Sequence, residues 1–303
     1  MKILVTGGAG FIGSGLVDRL VRDQYGHVCV FDNFSRGRIE NLAHSSNAIR
    51  IVNGDILDTA RLRDEMVGAE VVYHLAALSS VFDCVHNPAA AIRTNVEGTR
   101  QVLEAARQTG VRRVVVSSSR EVYGEPANLP VPESSPINPK NAYGASKVAA
   151  EEICAEYSSN GLELVVFRLS NVYGIRDRSR VIPLFVEQVL RSEPITIYGK
   201  DKLLDLIWIE NLVEVLALAA QYPCPVHPVN LGCGKGTRLF DLAERVCALI
   251  DPKSPIHIAD QREPEVEHFV ADVTVARKLF NLHCPDDPLE YLPHVIEAFR
   301  TRI

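Results

Sequence analysis

An apolar run, Ile3-Leu4-Val5, breaks into Thr6-Gly7-Gly8-Ala9-Gly10-Phe11-Ile12-Gly13 and passes at once into the amphipathic stretch Gly13–Arg22. Few architectures join a strand to a helix through glycines at this spacing. Gly7 permits a tight turn, Gly10 lets the backbone approach a pyrophosphate, and Gly13 lets the helix pack closely on the strand. The helix N-terminus then offers free amides and a positive dipole end to phosphate. A purely structural strand–helix turn would use the same glycines, so the next strand supplies the context. Asp32 closes Val28-Cys29-Val30-Phe31-Asp32, about twenty residues past the glycines, where a carboxylate accepts from adenosine ribose hydroxyls and repels a 2′-phosphate. The pattern predicts a dinucleotide site that prefers NAD to NADP, with Arg36 and Arg38 as the residues that would argue for the phosphate. Asp55, after Ile51-Val52-Asn53-Gly54, is placed either to reach the adenine edge or to make a turn.

Further strands are expected at Ile49–Val52, Val71–Leu75, Val114–Val116 and Leu164–Arg168, with helices at Ala89–Thr109 and Ala142–Ser158. Apolar strands alternating with helices imply a parallel sheet covered on both faces, an α/β, doubly wound Rossmann architecture. After about residue 172 prolines punctuate shorter elements, and Val226–Leu231 looks like a strand returning to the main sheet. The expected organisation is a dinucleotide-binding domain over 1–171, with returning segments near 205–232. A smaller, discontinuous substrate-binding lobe is expected over 172–303.

Composition excludes several function classes. A net charge of −6, without any basic run, argues against a nucleic-acid surface. The seven cysteines contain no Cys-x-x-Cys pair and are odd in number, as reduced packing residues would be. No His/Cys/Asp cluster has metal spacing, and His74 sits inside a strand pattern as a core histidine would. Ile3-Leu4-Val5 ends at Gly7-Gly8, too short for an export segment, and no apolar stretch approaches a membrane span. The expected compartment is the cytoplasm.

Tyr143 and Lys147 stand four residues apart in Asn141-Ala142-Tyr143-Gly144-Ala145-Ser146-Lys147. On a helix they share one face, where the ammonium is expected to lower the phenol's pKa. Such a phenol can take a proton from a sugar hydroxyl while a dinucleotide takes the hydride.

With these motifs the chain resembles the extended short-chain dehydrogenase/reductase family of NAD-dependent nucleotide-sugar epimerases and dehydratases. The resemblance covers nearly the whole chain. It rests on the Thr6–Gly13 turn, His74-Leu75-Ala76-Ala77, Thr94–Thr99, Ser117–Gly124, Tyr143–Lys147 and Arg168–Gly174. It implies that Tyr143 transfers the proton, that Lys147 is its electrostatic partner and ribose ligand, and that Ser119 bonds the reacting hydroxyl. It extends the cofactor envelope from Gly7, Gly10, Phe11, Ile12, Gly13 and Asp32 to Asn33, Ser35, Arg36, Asp55, Ile56, Leu75, Ala76, Ala77, Asn95 and Ser117. It also implies a UDP-sugar substrate and a homodimer formed by the helices around Ala89–Ala106 and Val148–Tyr157.

Dehydratases of the family carry a carboxylate two residues after the Ser/Thr, and here that position holds Glu121, a base for the carbon beside a new ketone. Its structural alternative is a helix N-terminal or ion-pair residue. Arg120 departs from the pattern, because the acid or small hydroxyl usual there is replaced by a group that cannot surrender a proton. The Ser119-Arg120-Glu121 stretch resembles the UDP-hexosamine 5,6-dehydratases of antibiotic (tunicamycin) biosynthesis. The expected activity is therefore an NAD-retaining dehydratase acting on a UDP-hexosamine such as UDP-N-acetylglucosamine. A 4-epimerase and a non-catalytic NAD-sensing regulator are the alternatives; the intact Ser119, Tyr143 and Lys147 argue against the regulator.

For the nucleotide sugar the resemblance points to Asn171, Val181, Ile182, Phe185, Tyr198 and Arg262, the last as a phosphate fork or a surface ion pair. Arg120, Glu121 and Tyr143 would meet the sugar. Ser79 and Ser80 either contact it or cap a turn. Where epimerases carry Gln-x-Arg-Asp, this chain reads Lys200-Asp201-Lys202-Leu203-Leu204-Asp205, so Lys200 or Lys202 would have to replace the arginine.

Overall fold

Burial alternates residue by residue along the first strand: Ile3 and Val5 enter one apolar core and Leu4 the other. The same alternation separates Val28 and Val30 from Cys29 and Phe31, and Val165 and Phe167 from Leu164 and Val166. This is the two-residue period of a strand covered on both faces. The computed structural model describes residues 1–199, 201–222, 227–260 and 264–301. Its strands are β1 (Lys2–Thr6), β2 (His27–Asp32), β3 (Ile49–Asn53), β4 (Val71–His74), β5 (Arg113–Ser119), β6 (Glu163–Leu169), β7 (Asn171–Tyr173), β8 (Ile195–Tyr198), β9 (Leu203–Trp208), β10 (Val229–Leu231), β11 (Gly236–Arg238) and β12 (Ile256–Ala259).

Seven strands form one parallel sheet in the order β10-β6-β5-β4-β1-β2-β3. The expected doubly wound α/β fold is thus present. The chain leaves β1 towards β3 on one side and resumes at β4 on the other, so the order reverses between β1 and β4. A crevice at the carboxyl ends of these two strands is where such sheets bind ligands. Both flanking loops meet there, since a Cβ on Gly7 (φ +70°) would lie 2.6 Å from the Ala76 nitrogen.

The stretch expected as one helix over Ala89–Thr109 is continuous but not uniform. It runs as Pro88–Ala91, a wide π turn over Ile92–Glu97, and a regular helix Gly98–Thr109 ended by Gly110 at φ +72°. π turns of this kind recur at functional sites, and Asn95 lies inside this one.

After β6 the elements shorten, and a second core gathers the helices Val181–Leu190, Leu239–Ile250 and Leu292–Arg300 with β8 and β9. Two small sheets, β11-β9-β7 and β12-β8, sit in this part; their runs were too short to stand out in the sequence. The chain then returns. Helix Ile209–Leu218 packs on helix Phe11–Arg22, and β10 joins the edge of the main sheet beside β6. The returning strand begins at Val229; residue 226, where it was expected to start, lies outside the described residues.

Candidate active site

Helix Phe11–Arg22 starts at Gly10 without any side-chain cap and without an acidic residue in its first turn. Among the described residues no side chain caps its first amides, which are the orphan donors of a helix N-terminus. A Cβ on Gly13 would collide with the Gly7 carbonyl at 2.2 Å, so that glycine serves helix–turn packing. A Cβ on Gly10 would meet only the Gly7 oxygen, at 3.2 Å, and its outer side is open. A bound pyrophosphate suits both features: an open backbone and unpaired donors.

Asp32 ends β2 with its carboxylate fixed by two backbone donors, Ala9 N at 2.9 Å and Phe34 N at 2.8 Å. Each oxygen keeps a lone pair for a ribose hydroxyl. Burial raises its pKa, and the two amides oppose that rise. Arg36 is turned to Asp83 at 3.2 Å, so it is engaged away from Asp32. Asp55 takes the turn role through Leu57 N (2.9 Å) and also receives Asn33 Nδ2 (2.9 Å), while the Ser35 amide and hydroxyl bond the Asn33 carbonyl. Ile56 is buried beneath this loop. Leu75, Ala76 and Ala77 are half-buried at the opposite wall.

Asn95 needs a correction. It is 1% exposed; its amide donates to the Leu78 carbonyl and Ser146 hydroxyl, and its oxygen receives the Leu78 amide. It braces the loop after β4 that carries the half-buried Leu75, Ala76 and Ala77. Ser80 caps the short helix Val81–His86 through Asp83 N at 3.1 Å, which is the turn-capping alternative. Ser79 is exposed beside it.

Ser119 is the last residue of β5, and its hydroxyl accepts Glu121 N at 3.2 Å, opening a 3-10 turn over Arg120–Val122. Helix Ala142–Ser159 lies against β5 and turns Tyr143 and Lys147 inward on one face. The Ser119 hydroxyl lies near the Tyr143 phenol and lowers its pKa. The expectation that Lys147 draws the phenol's pKa down is overturned. Burial dominates and pushes Tyr143 up to about 12, against the lowering effects of Ser119 and of Arg180, while the Glu121 charge adds to the rise. The Lys147 ammonium lies 5.9 Å from the Tyr143 ring centroid, tethered to the Ser117 carbonyl at 2.9 Å. Burial pushes its own pKa down to about 8.

Glu121 is held at both oxygens. Arg120 Nη2 is 3.0 Å from Oε1, and Asn141 Nδ2 donates to Oε2 at 2.8 Å. Its side chain is 7% exposed, so the carboxylate is fixed and sheltered, with one lone pair per oxygen still available. Two residues missing from the sequence expectations belong here. Asn141 both caps the Tyr143 helix and grips Glu121. Arg180, paired with buried Asp177 at 3.3 Å, lies 5.5 Å over the Phe11 ring and acts on Tyr143. The hold of Asn141 on Glu121 spans twenty residues, which no local pattern reveals.

A buried brace fixes the helix behind the site. Glu151 receives Arg168 at 2.7 Å and Ser118 at 2.5 Å, and Arg168 passes on to the Tyr123 hydroxyl, which donates to Asn230. Arg168 is thereby tied to Ser118, through Glu151, and directly to Tyr123 of the Ser117–Gly124 motif. His74 is likewise internal, bonded by Thr6 at 2.9 Å and Thr99 at 3.0 Å.

On the substrate side Asn171 leaves its buried Oδ1 without a partner among the described residues, as a ligand-facing amide would. Val181 is half-buried, but Ile182 and Phe185 are 1% and 4% exposed in the second core. They pack in the core shared with helices Leu239–Ile250 and Leu292–Arg300. Tyr198 ends β8, half-buried. Lys202 is paired with Glu265. Arg262 and Lys200 lie outside the described residues. Among the described residues there is no cluster of metal-ligating side chains, and no helix is long and apolar enough to cross a membrane.

Comparison with known proteins agrees with this geometry. The family described as "NAD dependent epimerase/dehydratase family" matches residues 3–232. UDP-glucuronic acid decarboxylase 1 of Arabidopsis thaliana is 34% identical, over 100% of this chain and 71% of its own length. Among solved structures, a UDP-N-acetylglucosamine 4-epimerase from Methanobrevibacter ruminantium, in complex with UDP-N-acetylmuramic acid, superposes with a TM-score of 0.94 at 30% identity, covering 100% of this chain and 99% of the other. A dTDP-glucose 4,6-dehydratase from Streptomyces venezuelae with NAD bound gives 0.94 at 28%, covering 99% and 97%.

Proposed function

The chain belongs to the NAD-dependent epimerase/dehydratase family, and we propose that within it this protein is a nucleotide-sugar dehydratase that retains NAD and acts on a UDP-hexosamine. The observation that carries the choice is Glu121, a carboxylate buried beside Tyr143 and held at both oxygens by Arg120 and Asn141. Epimerisation needs no base at carbon 5; elimination does.

When bound, NAD supplies the acceptor and later the donor of a hydride. The open Gly10 backbone, the first amides after it and Asp32 would hold the cofactor. Tyr143 takes the proton of the 4-hydroxyl, which Ser119 orients from the end of β5. Lys147, anchored on Ser117, sets the cation beside the ring. With a ketone at carbon 4, Glu121 takes the acidified hydrogen of carbon 5, and water leaves from carbon 6. Arg120 stays protonated throughout, so the proton that completes the departing water is the one Glu121 has just received. Return of hydride to carbon 4 then gives a 5,6-unsaturated sugar, in line with the antibiotic-pathway dehydratases that the Ser119-Arg120-Glu121 stretch resembles.

The second reading is a UDP-hexose or UDP-hexosamine 4-epimerase, supported by the structural likeness to a UDP-N-acetylglucosamine 4-epimerase. Mass spectrometry of the purified protein incubated with UDP-N-acetylglucosamine separates them. Loss of one water is expected; unchanged mass with a shifted sugar resonance would establish the epimerase instead. In the Glu121→Gln variant, exchange of the carbon 5 hydrogen with deuterated solvent should stop, and undiminished exchange would remove Glu121 as the base.

A homodimer through helices Gly98–Thr109 and Ala142–Ser159 belongs to the same proposal. These helices lie side by side, joined on their outer face by Arg100 and Glu156. Sedimentation at micromolar concentration should give twice the chain mass; a monomer there would contradict it.

A further inference from the structure

We propose that Arg120 holds the oxygen on carbon 6 of the sugar, with Nη2 committed to Glu121 and Nη1 donating to that oxygen as it departs. The inference rests on the dehydratase reading and deepens it.

Five buried side-chain atoms have no hydrogen-bond partner among the described residues: Arg120 Nη1, Ser170 Oγ, Asn171 Oδ1, Asp177 Oδ2 and Asn211 Oδ1. Only the first belongs to a cation. Arg120 is 8% exposed, and a buried charged donor without an acceptor is rare in native structures. Of the rest of its guanidinium, Nη2 stands 3.0 Å from Glu121, the group lies 5.5 Å from the Phe269 ring centroid, and its charge acts on buried Asp205. One arm is thus satisfied by the base and the other awaits an acceptor.

Position identifies that acceptor. Ser119, Arg120 and Glu121 lie in a single turn beside Tyr143, where Ser119 and Glu121 both act on the phenol. With the phenol at the carbon 4 oxygen and the carboxylate at the carbon 5 hydrogen, the next substituent along the sugar is the oxygen on carbon 6. A guanidinium already bonded to the carboxylate lies beside it.

The chemistry balances without a further reactant. The carbon 5–hydrogen bond breaks towards Glu121, and its electron pair becomes the second bond between carbons 5 and 6. The carbon 6–oxygen bond breaks with its electrons on oxygen. Glu121 returns the proton to that oxygen, water forms, and the carboxylate is regenerated. Arginine cannot supply the proton; its Nη1–H group stabilises the negative charge growing on oxygen, as a fixed donor does in an oxyanion site.

Two measurements test the role. In Arg120→Met, carbon 5 exchange should fall by roughly tenfold, since one of the two groups that hold Glu121 is lost, while water release should fall by about 10²–10³-fold beyond that, the usual effect of removing one oxyanion donor. Arg120→Lys keeps the charge beside Glu121 and guards against misfolding; its single nitrogen serves the carboxylate, and it should show the same split. A purely structural arginine would lower exchange and release together, and that result would overturn the proposal. Binding gives an answer independent of turnover. Wild type should bind UDP-N-acetylglucosamine about tenfold tighter than its 6-deoxy analogue, as loss of a hydrogen bond to a charged group implies, and Arg120→Met should bind the two alike. The same preference in both proteins would refute the contact. If wild type only inverts carbon 4, the dehydratase reading fails, while the 6-deoxy comparison still decides whether Arg120 meets that oxygen.

Discussion

Asn141 joins two parts of the site: its side-chain carbonyl accepts Gly144 N at 2.8 Å, and its amide nitrogen donates to Glu121 Oε2 at 2.8 Å. The first bond caps the helix that carries Tyr143; the second orients the proposed base. Serine caps helices about as well as asparagine but cannot reach the carboxylate. Asn141→Ser should therefore keep its melting temperature within about 1 °C of wild type, a shift of well under 1 kcal/mol. Carbon 5 exchange should drop by roughly tenfold or more, the value of about 1.4 kcal/mol in orientation. Wild-type exchange in this variant would show that Glu121 needs no such support.

Tyr143 is buried beside Ser119. Burial raises its pKa to about 12, so the phenolate that takes the 4-hydroxyl proton needs positive charge nearby, which Lys147 and, when bound, the oxidised nicotinamide would supply. Tyr143→Phe removes that oxygen while keeping the ring that packs with Cys84 and Ala91. Turnover should fall by about 10²–10⁴-fold, the usual contribution of positioned acid–base catalysis, with NAD still bound. Rapid turnover in the variant, measured by product formation, would remove Tyr143 from the proton path.

Asp32 faces its ligand with two lone pairs and a negative charge, and Arg36 is engaged by Asp83. NADP should bind at least tenfold more weakly than NAD, since a 2′-phosphate beside the carboxylate meets repulsion and loses the ribose hydrogen bond. Asp32→Ala should narrow the gap mainly by weakening NAD. Equal affinity of the wild-type protein for the two, by fluorescence titration, contradicts the ribose role.

The sheet was legible because its strands carry buried side chains on both faces and so read as apolar runs, from Ile3–Val5 to Leu164–Arg168. The dinucleotide turn was legible because Gly7, Gly10 and Gly13 answer to backbone geometry within one short segment. What depends on distant contacts was not. Lys147 looked like a partner for the phenol, yet desolvation, which no spacing reveals, dominates both groups. Asn95 looked like a cofactor ligand; the π turn carries it beneath the loop it braces. Ile182 and Phe185 matched a substrate wall by position, but the face that their helix buries is set by a second core assembled from segments far apart in the chain. Arg180 reached the site through a pairing with Asp177 that only the fold made meaningful.

His74 links the site's scaffold to acid stability. It is buried at the end of β4, with Thr6 at one ring nitrogen and Thr99 at the other. Burial first, and the Lys147 charge second, move its pKa from the ordinary 6.5 down to about 3. Between these values the unfolded chain binds a proton that the folded chain excludes, so folding stability falls as pH drops from 6.5 towards 3. Each unit is worth about 1.4 kcal/mol, which gives a loss of roughly 2 kcal/mol by pH 5. Above pH 6.5 the ring is neutral in both states and contributes no slope. His74→Asn keeps a polar group between the two threonines but does not titrate. The variant will start less stable, so the informative quantity is the slope of urea-derived stability between pH 6.5 and 5. That slope should be shallower than wild type by about one proton's worth. Parallel slopes in the two proteins would mean that His74 is already protonated in the fold and that the acid-labile group lies elsewhere.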